Sequence, residues 1–122
     1  MSNSPAWSNP EMEKAFSSAD FVLKTQQQIA KDFGNHGFQF AEDFEVLPYE
    51  TALLKAAVQQ VLSDIIEHHA SKWLPLMYSL DISEKNYIRF FENAGQDWLW
   101  DFAFEVIRRE AQKVFFREKL KG

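Results

Sequence analysis

The chain contains no cysteine, which removes disulfides, thiolate nucleophiles and cysteine-ligated zinc from consideration. It has no apolar run approaching the roughly 20 residues of a membrane-spanning helix. Residues 1–10 lack both the cationic and the apolar stretch of a signal peptide, which suits a cytoplasmic protein. Glycine and proline are scarce, four of each, so there are few points where a helix is forced to stop. A Gly-rich phosphate loop, a serine nucleophile elbow, a basic-aromatic nucleic-acid motif and the Glu-x-x-His pairs of di-iron bundles are all missing. No catalytic residue, cofactor or metal is expected from these absences.

Aromatic side chains, by contrast, are plentiful: 12 Phe and 4 Trp in 122 residues. A core of one domain's size absorbs many of them, and the remainder is expected to form an apolar patch of the kind that meets a partner. Charge is distributed unevenly. From Arg108 to Gly122 six Lys/Arg face only Glu110 and Glu118, while the other 107 residues carry seven Lys/Arg against sixteen acids. An acidic body repels a phosphate backbone over most of its surface, which argues against general nucleic-acid binding.

Periodicity predicts an all-α fold, an antiparallel bundle of four to five helices spanning residues 10–122 behind a disordered N-terminus at 1–9. Asn9, Pro10 and two glutamates form a helix start. Met12, Phe16, Ala19, Leu23, Ile29, Ala30 and Phe33 then recur at helical spacing up to Gly34, which predicts one helix over 10–33 with Gln26 on its apolar face and Phe21 on its polar one. Phe38, Phe40 and Phe44 anchor a loop, where Glu42, Asp43 and Glu45 are most simply solvated. Pro48 opens a helix over 48–69 whose inward stripe is Leu54, Val58, Val61 and Ile65, widened by Leu62 and Ile66. Further helices are expected over 72–80, over 84–94 with Tyr87, Ile88 and Phe91 inward, and over 98–119 after an Asp97 cap.

Adjacent His68 and His69 fall on opposite edges of an apolar stripe. Two ligands of one metal on a helix need a spacing of three or four residues, so a structural or surface role is expected for this pair and for His36. The last helix departs from ordinary patterning. Asp101, Glu105, Arg108, Arg109 and Gln112 form its polar stripe, yet Glu110 and Arg117 fall in the centre of its apolar side and Lys113 at the edge. Buried charge must be paired. Glu110 and Lys113 are three residues apart and Lys113 and Arg117 four, so a local pair is available. One carboxylate against two cations leaves the cluster an acid short, and Asp81 or Glu84, at the turn before the fourth helix, is expected to supply it.

Two stretches carry a resemblance. One is Leu74-Pro75-Leu76-Met77-Tyr78-Ser79-Leu80-Asp81-Ile82-Ser83-Glu84. The other is Ile107-Arg108-Arg109-Glu110-Ala111-Gln112-Lys113-Val114, continuing to Arg117. Together they resemble a group of small bacterial all-helical proteins in which a leucine-rich segment ends in a Tyr–Arg–Ile–Asp-like turn and the last helix carries Arg–Glu–x–Gln–Lys. The resemblance spans residues 50–117 and departs at Ser79, where the group has a basic residue. It implies a helical fold and no particular activity.

The functional expectation is a non-enzymatic interaction or accessory protein that binds itself as a homodimer, or another protein, with Trp98 and Phe116 near the interface. The alternative is a nucleic-acid-associated regulator using the basic C-terminal helix, and the third reading is a small enzyme or a binder of an anionic ligand.

Overall fold

A computed structural model describes residues 10–15, 17–42, 44, 51–92 and 97–121. It is an all-α bundle. The helices are α1 (Pro10–Ala15), α2 (Ala19–Gly34), α3 (Thr51–His68), α4 (Trp73–Ser79), α5 (Glu84–Glu92) and α6 (Trp98–Lys121), with a 3₁₀ turn at Ala70–Lys72 leading into α4. No strand occurs among the described residues. Among the described residues no helix is long and apolar enough to cross a membrane. The Asn9 cap, the Pro48 start and Phe16 lie outside the described residues, as do residues 1–9, Asp43 and Glu45.

The single helix expected over 10–33 is two. Ser18 adopts an extended backbone, φ −95° and ψ 130°, and its hydroxyl accepts a hydrogen bond from the Phe21 N–H. That is N-cap geometry, and it restarts the helix with Asp20 in the favourable first turn. The restart sets the inward face of α2 independently of α1. Phe21, Val22, Thr25, Gln26, Ile29, Asp32 and Phe33 are buried, and Leu23, expected inside, is exposed. Gln26 is inside as its position implied, and its amide donates to the Phe44 carbonyl at 3.1 Å. The phenylalanine-anchored loop is also as expected: Phe38 and Phe44 are buried, and Phe40 stacks on Phe44 with ring centroids 4.2 Å apart.

Helix α3 buries Leu54, Val58, Leu62 and Ile65. Val61 is only partly buried and Ile66 is exposed, so the stripe centres on the Leu62 side and Val61 forms its margin. Helix α6 is the hub of the bundle, packing chiefly on α3 and α2 and also on α5 and α1. It lies antiparallel to α2: Lys24 meets Glu118 near the start of α2, and Asp32 meets Lys113 near its end.

The aromatic surplus goes largely into the core. Trp73 packs on Tyr87, Phe91 and Phe102, and Trp98 lies 4.4 Å from Phe91 between ring centroids. Trp98 is partly buried against this cluster, whose Phe91, expected inward, is itself exposed. Phe116, the expected companion of Trp98, is half exposed.

Helices α2 and α4 end in the same way. The Phe38 N–H returns to the Phe33 carbonyl with Gly37 at φ +89°, and the Ile82 N–H returns to the Met77 carbonyl with Asp81 at φ +60°. Both are six-to-one closures around a left-handed residue, and the apolar residues at either end, Phe33 and Phe38 in one and Met77 and Ile82 in the other, are buried.

Candidate functional site

Glu110 has no solvent exposure, although it follows two arginines on a helix whose outer stripe is polar. Its turn of α6 is surrounded by the buried side chains of Val106, Ile107, Ala111 and Val114. Its Oε1 lies 3.0 Å from Lys113 Nζ, but this ammonium aims its hydrogen bonds elsewhere, at Asp32 Oδ2 and the Ser79 carbonyl, both at 2.7 Å. Asp32 is also buried, and its other oxygen accepts from the Gln28 amide at 3.1 Å. The Gln28 carbonyl oxygen in turn accepts from Arg117 at 2.8 Å. A continuous chain of polar contacts thus runs from the core to the surface: Glu110, Asp32 with Lys113, Gln28, Arg117.

The protonation states follow from burial. Burial pushes the Glu110 carboxyl up, the hydrogen bond and charge of Asp32 push it further, and Lys113 only partly opposes them, leaving it at about 9. Burial also raises Asp32, but its hydrogen bonds with Glu110, Lys113 and Gln28 outweigh that and hold it below the ordinary carboxylate range. For Lys113, burial works downward and is outweighed by the two acids, so the ammonium is raised. At neutral pH the site therefore holds one carboxylate, one ammonium and one neutral carboxylic acid. The two acids titrate as a coupled pair. The proton on Glu110 explains how it sits among aliphatic side chains with no well-aligned donor to its own oxygens, because a neutral acid escapes most of the desolvation penalty of a carboxylate.

Lys113 also has a backbone role. The Ser79 carbonyl belongs to the last turn of α4, where carbonyls lack intrahelical partners, and an ammonium there complements the negative end of the helix dipole. The same end of α4 is tied to the end of α2 by His36 Nε2 and Ser79 Oγ, 2.6 Å apart. The cluster consequently locks α2, α4 and α6 together.

Of the five residues expected to gather, Glu110 and Lys113 meet directly, and Arg117 is joined to them only through Gln28. Asp81 and Glu84 stay outside. Asp81 is exposed because it occupies the left-handed position of the α4 closure, a conformation Asp tolerates better than most residues. Glu84 is exposed in the first turn of α5, where an acid suits the positive dipole end. The missing carboxylate comes from Asp32. Its signal was the Ser17–Ser18 pair: once the helix restarts there, Asp32 falls three residues after Ile29 and seven after Thr25, on the inward face.

The polar stripe of α6 holds a second charged cluster. Arg108 grips Glu105 with two hydrogen bonds, at 3.0 and 2.9 Å, and Arg109 adds a third at 2.9 Å. His69 Nε2 lies 3.9 Å from Asp64 and His68 Nε2 lies 3.8 Å from Glu67, all four side chains being well exposed. No group of three His, Asp or Glu able to hold a metal occurs among the described residues. No protein-family model matches the chain, and neither a curated protein nor a solved structure matches it at significance.

Proposed function

We propose that the protein is a non-enzymatic interaction or accessory protein that pairs with a second copy of itself through the last two turns of α6. The observation that carries this reading is the pair Phe116 and Leu120, one helical turn apart and 50% and 88% exposed. Side chains of this kind four residues apart present one apolar face, and contiguous apolar surface is normally covered by a partner. A second copy carries the same exposed apolar pair and can cover it. The apolar pair sits within the basic terminal segment, while the rest of the chain carries sixteen acids against seven Lys/Arg. A two-fold pairing through this patch brings the two basic helix ends together, so burial of the apolar pair, and not charge, supplies the attraction.

The nucleic-acid alternative is weakened by Arg108 and Arg109, both of which are held by Glu105 instead of being presented to phosphate. Sedimentation velocity on the wild type and on the doubly substituted Phe116→Glu, Leu120→Glu chain tests the proposal. A dimer that becomes a monomer on substitution, with little dependence on salt, is expected. A wild type that stays monomeric at high micromolar concentration refutes it.

A further inference from the structure

A structural ion network ordinarily ends in a carboxylate that neutralises its last cation. The chain that starts at Glu110 ends instead in a guanidinium. Arg117 donates to the neutral amide oxygen of Gln28, so it is oriented without being neutralised, and most of its five N–H groups remain available. Gln28 cannot turn away easily, because its own amide nitrogen is committed to Asp32, which Lys113 and Glu110 hold in place. The buried cluster therefore fixes the position of an arginine at the surface.

That arginine borders an open groove of about 320 Å³ lined by Lys24, Gln27, Gln28, Lys31, Arg117 and Glu118. Lys24 is already paired with Asp20 and Glu118. Lys31 makes no ion pair among the described residues, and it lies one helical turn beyond Gln28, the residue that holds Arg117. Two cations without an ion-pair partner among the described residues thus line one groove on a protein whose net charge is −5. A fixed planar fork beside a flexible ammonium suits a doubly charged tetrahedral oxyanion, which takes paired hydrogen bonds from Arg and a point charge from Lys.

We infer that this groove binds the phosphate group of a small phosphorylated compound, with Arg117 and Lys31 as its ligands. Isothermal titration of the full chain with pyrophosphate at low ionic strength tests this, with Arg117→Gln and Lys31→Gln as the variants. Lys85→Gln, an exposed lysine on α5, is the control. Binding is expected to weaken about tenfold or more in each groove variant and to be unchanged in the control. Arg117 is exposed, so its variant should melt with the wild type, which separates lost binding from lost fold. Citrate distinguishes a phosphate site from a carboxylate one and is expected to bind more weakly. Equal weakening in the control, no detectable heat with pyrophosphate, or binding of an oligonucleotide in its absence overturns the inference.

Discussion

Replacing Glu110 by Gln should make the protein more stable at about pH 8 and slightly less stable near pH 5. The buried carboxyl is raised from 4.5 to about 9. Between those values the native state keeps a proton that the unfolded chain has released. Protons bound in the unfolded state minus those in the native state is then negative, so unfolding becomes easier as pH rises. The slope is at most about 1.4 kcal/mol per pH unit, which amounts to as much as ~5 kcal/mol lost by pH 8. Gln occupies nearly the same volume, never ionises, and its amide can donate to Asp32 where the acid proton did. The substitution exchanges a charge-assisted O–H donor for a weaker amide, at a cost of about 1–2 kcal/mol. The net gain at pH 8 is therefore about 3 kcal/mol, and near pH 5 the balance falls to a loss of about 1 kcal/mol. The other two members do not interfere. Stability from the depressed Asp32 is lost only as pH falls below 3.8, and that from the raised Lys113 only as pH rises above 10.5. Urea unfolding followed by tryptophan fluorescence across this pH range gives the difference directly. A Gln variant that is less stable than wild type by the same margin at both pH values would show Glu110 ionised and paired with Lys113, refuting the protonated-acid account.

Lys113→Met should lose about 3–5 kcal/mol in urea unfolding, because Asp32 is left as a buried carboxylate without its cation and the Ser79 carbonyl without its donor. A double-mutant cycle on Asp81 and Arg117, each to Ala, should give no coupling energy, and Asp81→Gly should hold or raise stability by up to about 1 kcal/mol because φ +60° carries no Cβ penalty for glycine. Val58→Asp should leave no folded protein by circular dichroism, since the site has no exposure, whereas Val61→Asp, at the margin of the stripe, should cost only about 1–2 kcal/mol in the same assay.

The fold class was legible because helical periodicity is a property of each segment alone. Its phase was less so. On α3 the apolar stripe is wide enough that either Val61 or Leu62 can stand at its centre, and only the packing of α6 against it decides for Leu62. On α2 the phase turned on one capping hydroxyl. An apolar count smooths over Ser17–Ser18, yet Ser18 restarts the helix and turns Phe21 inward and Leu23 outward. Asp32 depends on the same event, which is why the site was half visible. Its α6 residues announced themselves by carrying charge on an apolar face, while its α2 residue was concealed by a break about four turns of helix before it.

Charge balance succeeded where residue assignment did not. Counting Glu110 against two cations required another acid, and that requirement is met by Asp32. The same count, repeated with the protonation states in hand, gives a different result. Once Glu110 is neutral, Asp32 and Lys113 cancel, and Arg117 is again without a counter-charge among the described residues. The protonated acid and the uncompensated arginine are thus two consequences of one arrangement: burying Glu110 among Val106, Ile107 and Val114 removes the carboxylate that would otherwise have neutralised the outer end of the network. Glu110→Gln preserves that neutrality, so it should leave pyrophosphate affinity at the α2–α6 groove unchanged while altering the pH dependence of stability. Glu110→Leu breaks the hydrogen bond to Asp32 and loosens Gln28, and it should weaken pyrophosphate binding about severalfold with Arg117 still present. If Gln and Leu reduce affinity alike, the network does not position Arg117, and the groove and the buried acid are independent features of the same helix.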